Sequence, residues 1–249
     1  MSAPLSPTSA AVVERQITVK DEKTSTVEER RLEFRCDWDV GIGGSVWTSG
    51  EILTAHLEMH QEDYREIFEG KNVVELGSGT GYVGLMAAAT FQPAKVVLTD
   101  LASHLDCIQR NIDGNTAAIQ PGVEVRAAEL CWGCKDHEDA LLASLGATHG
   151  VDIILGTDIA YLTEFYEPIL HTLRHIANAQ TLVLIGLNRS DTGMQFFRRL
   201  EQEGFEYYKL SDRQLPSEHR GKDFGLFEIR RRAPVQRIVV AGPSAHQQP

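Results

Sequence analysis

Cysteine is scarce in this sequence and irregularly spaced. Cys36, Cys107, Cys131 and Cys134 are the only cysteines in 249 residues, which does not match the disulfide framework of a secreted domain, so we expect reduced thiols. No apolar run approaches the roughly 18 residues that a membrane-spanning helix needs. The amino-terminal segment also lacks the basic and then apolar order of a signal peptide. These absences predict an intracellular protein without a membrane partner, placed in the cytoplasm, with the nucleus as a further location.

Positive charge is also in short supply. The chain carries 24 Lys and Arg against 35 Asp and Glu, which gives a formal net charge of −11. Nucleic acids and anionic membranes bind cationic surfaces, so this balance argues against a nucleic-acid partner and favours a basic one. The 42% hydrophobic and 24% charged residues are typical of a soluble globular chain and exclude disorder of the whole.

Several site signatures are absent. The sequence has no G-x-S-x-G nucleophile elbow, no G-x-x-x-x-G-K-S/T phosphate loop and no H-E-x-x-H metal motif. Cys131 and Cys134 form a C-x-x-C with His137 nearby, but no second pair of ligands completes a structural zinc site. A thioredoxin-type redox role would need its own fold. We therefore expect no metal.

The chain is predicted to form one domain. It contains no internal repeat and no long Gly/Ser/Pro linker. Residues 1–11 and 233–249 lack periodicity and are predicted to be disordered tails of a single domain over 12–232.

Short β-branched runs alternate with helix-length segments from residue 71 onward, which is typical of a doubly wound, Rossmann-like sheet that is mostly parallel. Seven strands are predicted, over 73–76, 96–99, 123–125, 153–155, 182–185, 205–208 and 224–229. Helices are predicted from about 82 and over 103–111, 138–147, 164–176 and 192–203. The last two strands lack a crossover helix, so they are predicted to end the sheet as an antiparallel hairpin. A small amino-terminal β-hairpin over 16–19 and 31–35 is predicted beside the sheet.

A glycine-rich loop follows the first core strand: residues 75–81 have the sequence E-L-G-S-G-T-G and precede an apolar helix. Glycines allow a sharp turn and let a ligand lie against bare backbone. Asp100 ends the next strand, where a carboxylate can accept hydrogen bonds from both hydroxyls of a ribose. Glu75 would repel a pyrophosphate but attract an ammonium group, which favours S-adenosylmethionine over NAD. The alternative is a loop rich in glycine only for packing, with Glu75 in solvent and Asp100 capping the next helix.

These residues resemble the first motif, E/D-x-G-x-G-x-G, of the class I, seven-strand S-adenosylmethionine-dependent methyltransferases. Three further stretches resemble the protein-lysine methyltransferases of methyltransferase family 16: V-W-T-S-G at 46–50, L-C-W-G at 130–133 and D-I-A-Y at 158–161. The resemblance spans about 46–161.

The resemblance implies a role for each matching residue. Asp158 and Tyr161 form the family's D/E-x-x-Y/F signature, and a small apolar residue is more usual than Thr157 at its position. The cofactor set that it implies is Trp47 at the border, Glu75, Gly77, Ser78, Gly79 and Gly81 in the first motif, Asp100 at the ribose, Trp132 by the adenine, and Thr157.

Methyl transfer to a lysine requires a deprotonated amine, so we hypothesise that Asp158 orients the amine and that Tyr161 walls the channel and interacts with cationic amine through its ring. In the alternative, Asp158 caps a helix beginning near residue 162, or Tyr161 belongs to the core. Nucleobase methylation uses N/D-P-P-Y/F at this place, and Ile159 and Ala160 stand here instead of the prolines.

The sequence thus predicts a monomeric S-adenosylmethionine-dependent methyltransferase of a protein lysine. The resemblance suggests chaperones and translation factors as substrates. Alternatives are methylation of a histidine, an arginine or a small molecule, a nicotinamide dehydrogenase, and a non-catalytic binding subunit with the same fold.

Overall fold

A mixed β-sheet forms the middle layer of the protein, whose computed structural model describes residues 11–21, 26–147 and 150–232. Within these ranges the strands are β1 (Val12–Asp21), β2 (Thr26–Arg35), β3 (Asn72–Leu76), β4 (Lys95–Asp100), β5 (Glu124–Glu129), β6 (Ile153–Thr157), β7 (Leu182–Asn188), β8 (Phe205–Lys209) and β9 (Phe224–Arg231). The described helices are α1 (Thr48–Met59), α2 (Gln61–Phe68), α3 (Tyr82–Thr90), α4 (Leu105–Asn115), α5 (Lys135–Leu145), α6 (Tyr166–Ile176) and α7 (Met194–Gln202). The tails predicted over 1–11 and 233–249 lie outside the described residues, apart from residue 11.

The main sheet is doubly wound. Its strands lie in the order β5-β4-β3-β6-β7-β9-β8; the pairs among β3 to β7 are parallel, and β9 is antiparallel to both β7 and β8. This confirms the predicted sheet and its terminal hairpin, whose second strand inserts next to β7. The chain winds outward from β3 through β4 to β5 and then crosses over to β6. Such a reversal leaves a crevice at the carboxyl ends of the central strands, where ligands bind in this class of fold.

The two faces of the sheet carry separate hydrophobic layers, because side chains alternate along each strand. Val73 packs among residues of the hairpin, α1 and α3, whereas Val74 and Leu76 pack among residues of α5, α6 and α7. Glu75 shares the face of Val73 and is only 2% exposed. A carboxyl group therefore lies in the layer beneath α3.

The amino-terminal hairpin lies beside the main sheet, as predicted. β1 and β2 form their own two-stranded antiparallel sheet. Two asparagines of α4 attach it: the Arg35 N–H donates to Asn111 Oδ1 and the Glu33 N–H to Asn115 Oδ1, both at 2.8 Å. The hairpin thereby covers α4 and leads the chain toward the carboxyl ends of the strands.

The sequence did not predict α1 or α2. The buried residues of α1 are Ser49, Gly50, Ile52, Leu53, Thr54, His56 and Leu57. They lie on one broad face of the helix, but Ser49, Thr54 and His56 are polar and interrupt its apolar stripe. At 12 residues α1 is short, and none of the described helices has the length and apolar content to cross a lipid bilayer. Helix α1 contacts β6 and β7 and begins at the carboxyl ends of the central strands.

Candidate active site

A cleft of about 750 Å³ opens where the central parallel strands end. Every site residue predicted from the sequence lines this cleft except Gly81. Gly81 precedes α3 with a φ of 78°, and a Cβ there would lie 2.9 Å from a Leu98 methyl group, so its place is in the packing of the loop against β4. The structure therefore brings the glycine loop, Asp100, both tryptophans and the D-x-x-Y segment together.

The glycine loop has a backbone that other residues adopt only with strain. Gly77 and Gly79 have φ values of 61° and 57°, in the left-handed region. A Cβ on Gly79 would lie 2.3 Å from the carbonyl oxygen of Gly43, which approaches from the chain before α1. The Ser78 N–H donates to the Thr99 carbonyl at 2.9 Å and fixes the loop on β4. The loop, whose glycines carry no side chains, is thus held in position at the edge of the cleft.

Asp100 connects the glycine loop to the end of β4. Its Oδ2 accepts the Gly79 N–H at 2.8 Å, and its Oδ1 accepts the Leu101 N–H at 2.8 Å. His104 Nδ1 lies 3.3 Å from the same Oδ1. The carboxylate lines the cleft, and its Oδ2, which accepts one hydrogen bond, has a further lone pair for a ligand hydroxyl.

Glu75 is buried rather than turned to solvent, so the alternative of a solvent-facing side chain does not hold. Its Oε2 accepts the Gly84 N–H at 2.9 Å, in the first turn of α3. A Cβ on Gly84 would lie 2.2 Å from Leu98 and 2.8 Å from Glu75, which is why this turn can close over the carboxyl group. Burial raises the pKa of Glu75 to about 8, although the hydrogen bond from Gly84 opposes the shift. A cation in the cleft would favour the ionised form.

The two predicted tryptophans both line the cleft. Trp47 is 44% exposed, and its Nε1 donates to the Ile42 carbonyl at 2.9 Å, which folds the preceding chain over the cleft. Trp132 follows β5 and packs edge to face on Phe165, with ring centroids 5.7 Å apart. Its ring also covers Gly77, where a Cβ would lie 3.0 Å away. Both rings are therefore placed to contact a planar ligand.

Asp158 follows β6 in a strained conformation. Its φ of 51° is the only positive value at a non-glycine residue in the described ranges. Its Oδ1 accepts the Ser49 hydroxyl at 2.8 Å and the Asn188 N–H at 3.1 Å. Burial raises the pKa of Asp158, and these two hydrogen bonds oppose the shift. Because its partners lie on α1 and β7, Asp158 does not cap a helix near residue 162. Thr157, the last residue of β6, lines the cleft beside it.

Tyr161 stands at the mouth of the cleft. It is 36% exposed, so it is not a core residue, and its ring packs edge to face on Phe165 with centroids 5.3 Å apart. Partial burial, helped by the charges of Asp100 and Glu164, raises the pKa of its phenol. The hydroxyl is therefore protonated at neutral pH.

The charged groups that line the cleft are acidic. Glu75, Asp100, Asp158 and Asp191 line it, and no lysine or arginine does so among the described residues. Carboxylates attract ammonium groups and repel phosphates. This favours a cationic ligand and disfavours a dinucleotide with its pyrophosphate.

Sequence reasoning did not single out several residues of the site. Ser49 and Asn188 hold Asp158, and Phe165 supports both Trp132 and Tyr161. Ser49 does lie within the 46–50 stretch that carries the resemblance. Asn188 ends β7, three residues beyond the strand predicted over 182–185, and the carboxyl end of a parallel strand faces the crevice in this fold class, so its position after that strand was the available signal.

The C-x-x-C segment forms a turn at the start of α5. The Cys134 N–H donates to the Cys131 carbonyl at 3.0 Å, and the Cys131 N–H donates to His137 Nδ1 at 3.1 Å. Across the described residues, no three or more His, Cys, Asp or Glu side chains are grouped so that they could hold a metal ion.

The family model described as lysine methyltransferase matches residues 26–203. The chain is similar to the protein N-lysine methyltransferase METTL21A of Danio rerio, with 35% identity over 181 residues, 71% of this chain and 76% of that protein. It is also similar to the EEF1A lysine methyltransferase 3 of Mus musculus, with 35% identity over 168 residues, 67% of this chain and 65% of that protein.

A solved structure shares the fold. The 16S rRNA methyltransferase RsmC of T. thermophilus, in complex with AdoMet and guanosine, aligns with a TM-score of 0.54 and 16% identity over 93% of this chain and 53% of that chain. At this identity the likeness concerns the fold alone.

Proposed function

The chain belongs to the lysine methyltransferase family and is an S-adenosylmethionine-dependent enzyme that methylates a protein lysine; we propose how its cleft carries out this reaction. One observation carries the proposal. A bare glycine loop between Glu75 and Asp100 opens into the same cleft as Asp158 and Tyr161. Each half of the reaction thus has its own residues.

The cofactor half fits S-adenosylmethionine. A Cβ at Gly77 would be 3.0 Å from Trp132 and one at Gly79 would be 2.3 Å from Gly43, so the surrounding chain requires glycine at both positions of this loop, which lines the cleft. We propose that the loop holds the amino-acid end, with Glu75 nearest its ammonium, that Asp100 accepts the ribose hydroxyls, and that Trp132 and Trp47 flank the adenosine. When bound, S-adenosylmethionine supplies a methyl group on a positively charged sulfur.

The substrate half must accept a lysine side chain as a free amine. An ordinary lysine has a pKa of about 10.4 and is an ammonium at neutral pH. An aromatic slot lowers that pKa by removing water from the charged form, and we propose that the proton passes to solvent at the open mouth of the cleft before the amine attacks the methyl group. Tyr161 and Phe165, whose ring centroids lie 5.3 Å apart, supply such an aromatic lining near the mouth of the cleft.

We propose that Asp158 orients the amine. Its Oδ1 is held by Ser49 and Asn188, so the carboxylate has a fixed direction while its remaining lone pairs can accept an amine N–H. Methyl transfer depends on alignment more than on acid–base chemistry at sulfur, so a rigid acceptor suits the reaction. Tyr161, with its neutral phenol, presents a ring face that attracts the cationic amine as it enters.

We propose a translation factor as the first substrate to test, because the mouse relative is named for EEF1A. The acidic cleft supports a target lysine in a basic segment. Such a substrate places the enzyme in the cytoplasm. A monomer suffices for activity, because one chain supplies both halves of the cleft.

Two measurements test the function. We expect calorimetry to detect binding of S-adenosylhomocysteine and no binding of NAD, because the cleft repels a pyrophosphate. Incubation with labelled S-adenosylmethionine and a cell extract should label a protein, with the label recovered as methyl-lysine after hydrolysis. Binding of NAD alone would overturn the cofactor assignment, label in methyl-histidine or methyl-arginine would overturn the lysine assignment, and binding without label would identify a non-catalytic subunit.

A further inference from the structure

A buried carboxylate outside the cleft has no part in the reaction described above. Glu138 on α5 is 0% exposed. Its Oε1 accepts the Thr172 hydroxyl of α6 at 2.8 Å, and His171 Nδ1 lies 3.1 Å from the same atom. Its Oε2 is buried without a hydrogen-bond partner among the described residues. His175 Nδ1 lies 3.9 Å from Oε2, so a threonine and two histidines of α6 hold this carboxylate between the two helices.

Thr172 extends this contact toward the cleft. Its Oγ1 accepts the Gly133 N–H at 2.9 Å, and its proton has two acceptors in reach, Glu138 Oε1 at 2.8 Å and the Pro168 carbonyl of its own helix at 3.1 Å. Gly133 has a φ of 79°, and a Cβ there would lie 3.4 Å from Pro168, so this loop rests directly on α6. A hydroxyl that donates to a carboxylate is a better acceptor for a second donor, because hydrogen bonds in a chain polarise one another.

The Gly133 bond fixes the segment that carries Trp132, which we call the Trp132 loop (residues 130–134). The Leu130 N–H donates to the Asp100 carbonyl and the Cys131 N–H to His137, so these bonds attach the loop to β4 and α5. The bond from Gly133 attaches it to α6. Phe165, which supports the Trp132 ring, precedes the same helix.

We propose that Thr172 and Glu138 are positioning residues for the cofactor, which hold Gly133 so that Trp132 stands against its binding site. The proposal rests on the function given above, because it takes Trp132 as a wall of the S-adenosylmethionine site. Neither residue lines the cleft. Their effect therefore belongs to cofactor affinity and not to the transfer step.

The test compares Thr172→Val, which keeps the shape and removes the hydroxyl, with Thr172→Ser, which restores it. For Thr172→Val we expect about a fivefold rise in the Kd of S-adenosylhomocysteine and in the KM of S-adenosylmethionine, with kcat at saturating cofactor within about twofold. Thr172→Ser should return both constants to within about twofold of the wild type. Glu138→Gln, whose amide oxygen still accepts from Thr172, should give a smaller rise and provides a second readout if Thr172→Val does not fold.

The matched control is Thr90→Val on α3. Thr90 is also a buried helical threonine, 8% exposed, but its hydroxyl donates to the Met86 carbonyl of its own helix at 2.8 Å. We expect no change in Kd there. A lowered Tm in Thr172→Val with an unchanged Kd, or an equal rise in Kd in Thr90→Val, would overturn the proposal while the function stands. A wild-type protein that binds no S-adenosylhomocysteine would instead overturn the function, and the proposal with it.

Discussion

The two halves of the cleft are built in different ways. The cofactor half comes from one continuous segment, the glycine loop with Glu75, together with Asp100 at the end of the adjacent strand. The substrate half combines Asp158 with partners that lie 109 residues before it and 30 residues after it in the chain, Ser49 and Asn188. The glycine loop and Asp100 are thus fixed largely by local backbone geometry, whereas the tertiary fold places Trp47 and Trp132 beside them and holds Asp158 in the substrate half.

Exposure follows a similar division, with Trp47, 44% exposed, as the exception in the cofactor half. Glu75 is 2% exposed, whereas Tyr161 is 36% exposed at the mouth. A small cofactor can be enclosed, but a lysine on a protein must reach its site from outside. We therefore expect changes in the cofactor half to act on cofactor affinity, and changes in the substrate half to act on methyl transfer.

Asp158→Ala should give the largest effect and should separate methyl transfer from cofactor binding most clearly. Loss of the amine acceptor leaves the substrate misaligned, so we expect kcat to fall about 100-fold. The Kd of S-adenosylhomocysteine should stay within about twofold, because the glycine loop and Asp100 are untouched. Calorimetry and a radiolabel transfer assay measure the two quantities.

Asp158→Asn is the conservative partner of this variant. An asparagine tolerates the positive φ, and its amide oxygen still accepts from Ser49 and Asn188, so the fold is kept. We expect activity between those of the wild type and Asp158→Ala. Wild-type kcat in Asp158→Ala would remove the acid from the mechanism.

Gly79→Ala should weaken cofactor binding. A Cβ at this position would lie 2.3 Å from the Gly43 oxygen, and the φ of 57° disfavours any side chain. We expect at least about a tenfold rise in the Kd of S-adenosylhomocysteine, since moving the loop also disturbs the Asp100 contact.

Gly122→Ala is the control for backbone strain. Gly122 has a φ of 86°, and nothing lies within 4 Å of a Cβ built on it. This variant should lose about 1–2 kcal/mol of unfolding free energy and keep its cofactor affinity. An equal rise in Kd for both variants would mean that general destabilisation, not the loop, sets the affinity.

The pH dependence of Glu75→Gln tests the electrostatic contribution of Glu75 to cofactor binding. Burial raises the pKa of Glu75 to about 8 in the protein without ligand, against an ordinary 4.5. The folded state therefore binds this proton more tightly than the unfolded chain. The contribution to stability is full below about 4.5 and falls as the pH rises to about 8.

Cofactor binding should depend on pH in the opposite direction. The cofactor ammonium favours ionised Glu75, so affinity for S-adenosylhomocysteine in the wild type should rise between pH 6 and 8, by at most about tenfold per pH unit. Glu75→Gln should bind more weakly at pH 8, with a flat profile, while its amide oxygen still accepts the Gly84 N–H. Calorimetry at pH 6, 7 and 8 measures both proteins, and parallel profiles would show that Glu75 only holds α3.

The same contrast explains which features the sequence could predict. The glycine loop and Asp100 are recognisable because their spacing follows from one strand–loop–helix unit and the next strand. The residues that hold Asp158 are not recognisable from the sequence, because Ser49 lies on α1, a helix that shows no uninterrupted apolar stripe. Polar residues within the buried face of α1 interrupt the periodic apolar pattern on which helix prediction depends. The order of β8 and β9 could not be predicted either, because a hairpin pattern indicates that two strands pair but not which of them pairs with the rest of the sheet.

Tyr161 should give the smallest effect, because its contribution is a ring face at a partly exposed site. Tyr161→Ala should lower kcat/KM about two- to fivefold, in line with a cation–π contact of about 0.5–1 kcal/mol. Tyr161→Phe keeps the ring and should stay near the wild type; the raised pKa keeps the phenol neutral, so their activity ratio should be constant from pH 7 to 9. Tyr208→Ala is the control, because Tyr208 is 58% exposed and does not line the cleft. A large loss of kcat/KM in Tyr161→Phe would show that the Tyr161 hydroxyl contributes to methyl transfer. The substrate half would then depend on a hydrogen bond at the mouth of the cleft as well as on the Asp158 carboxylate inside it.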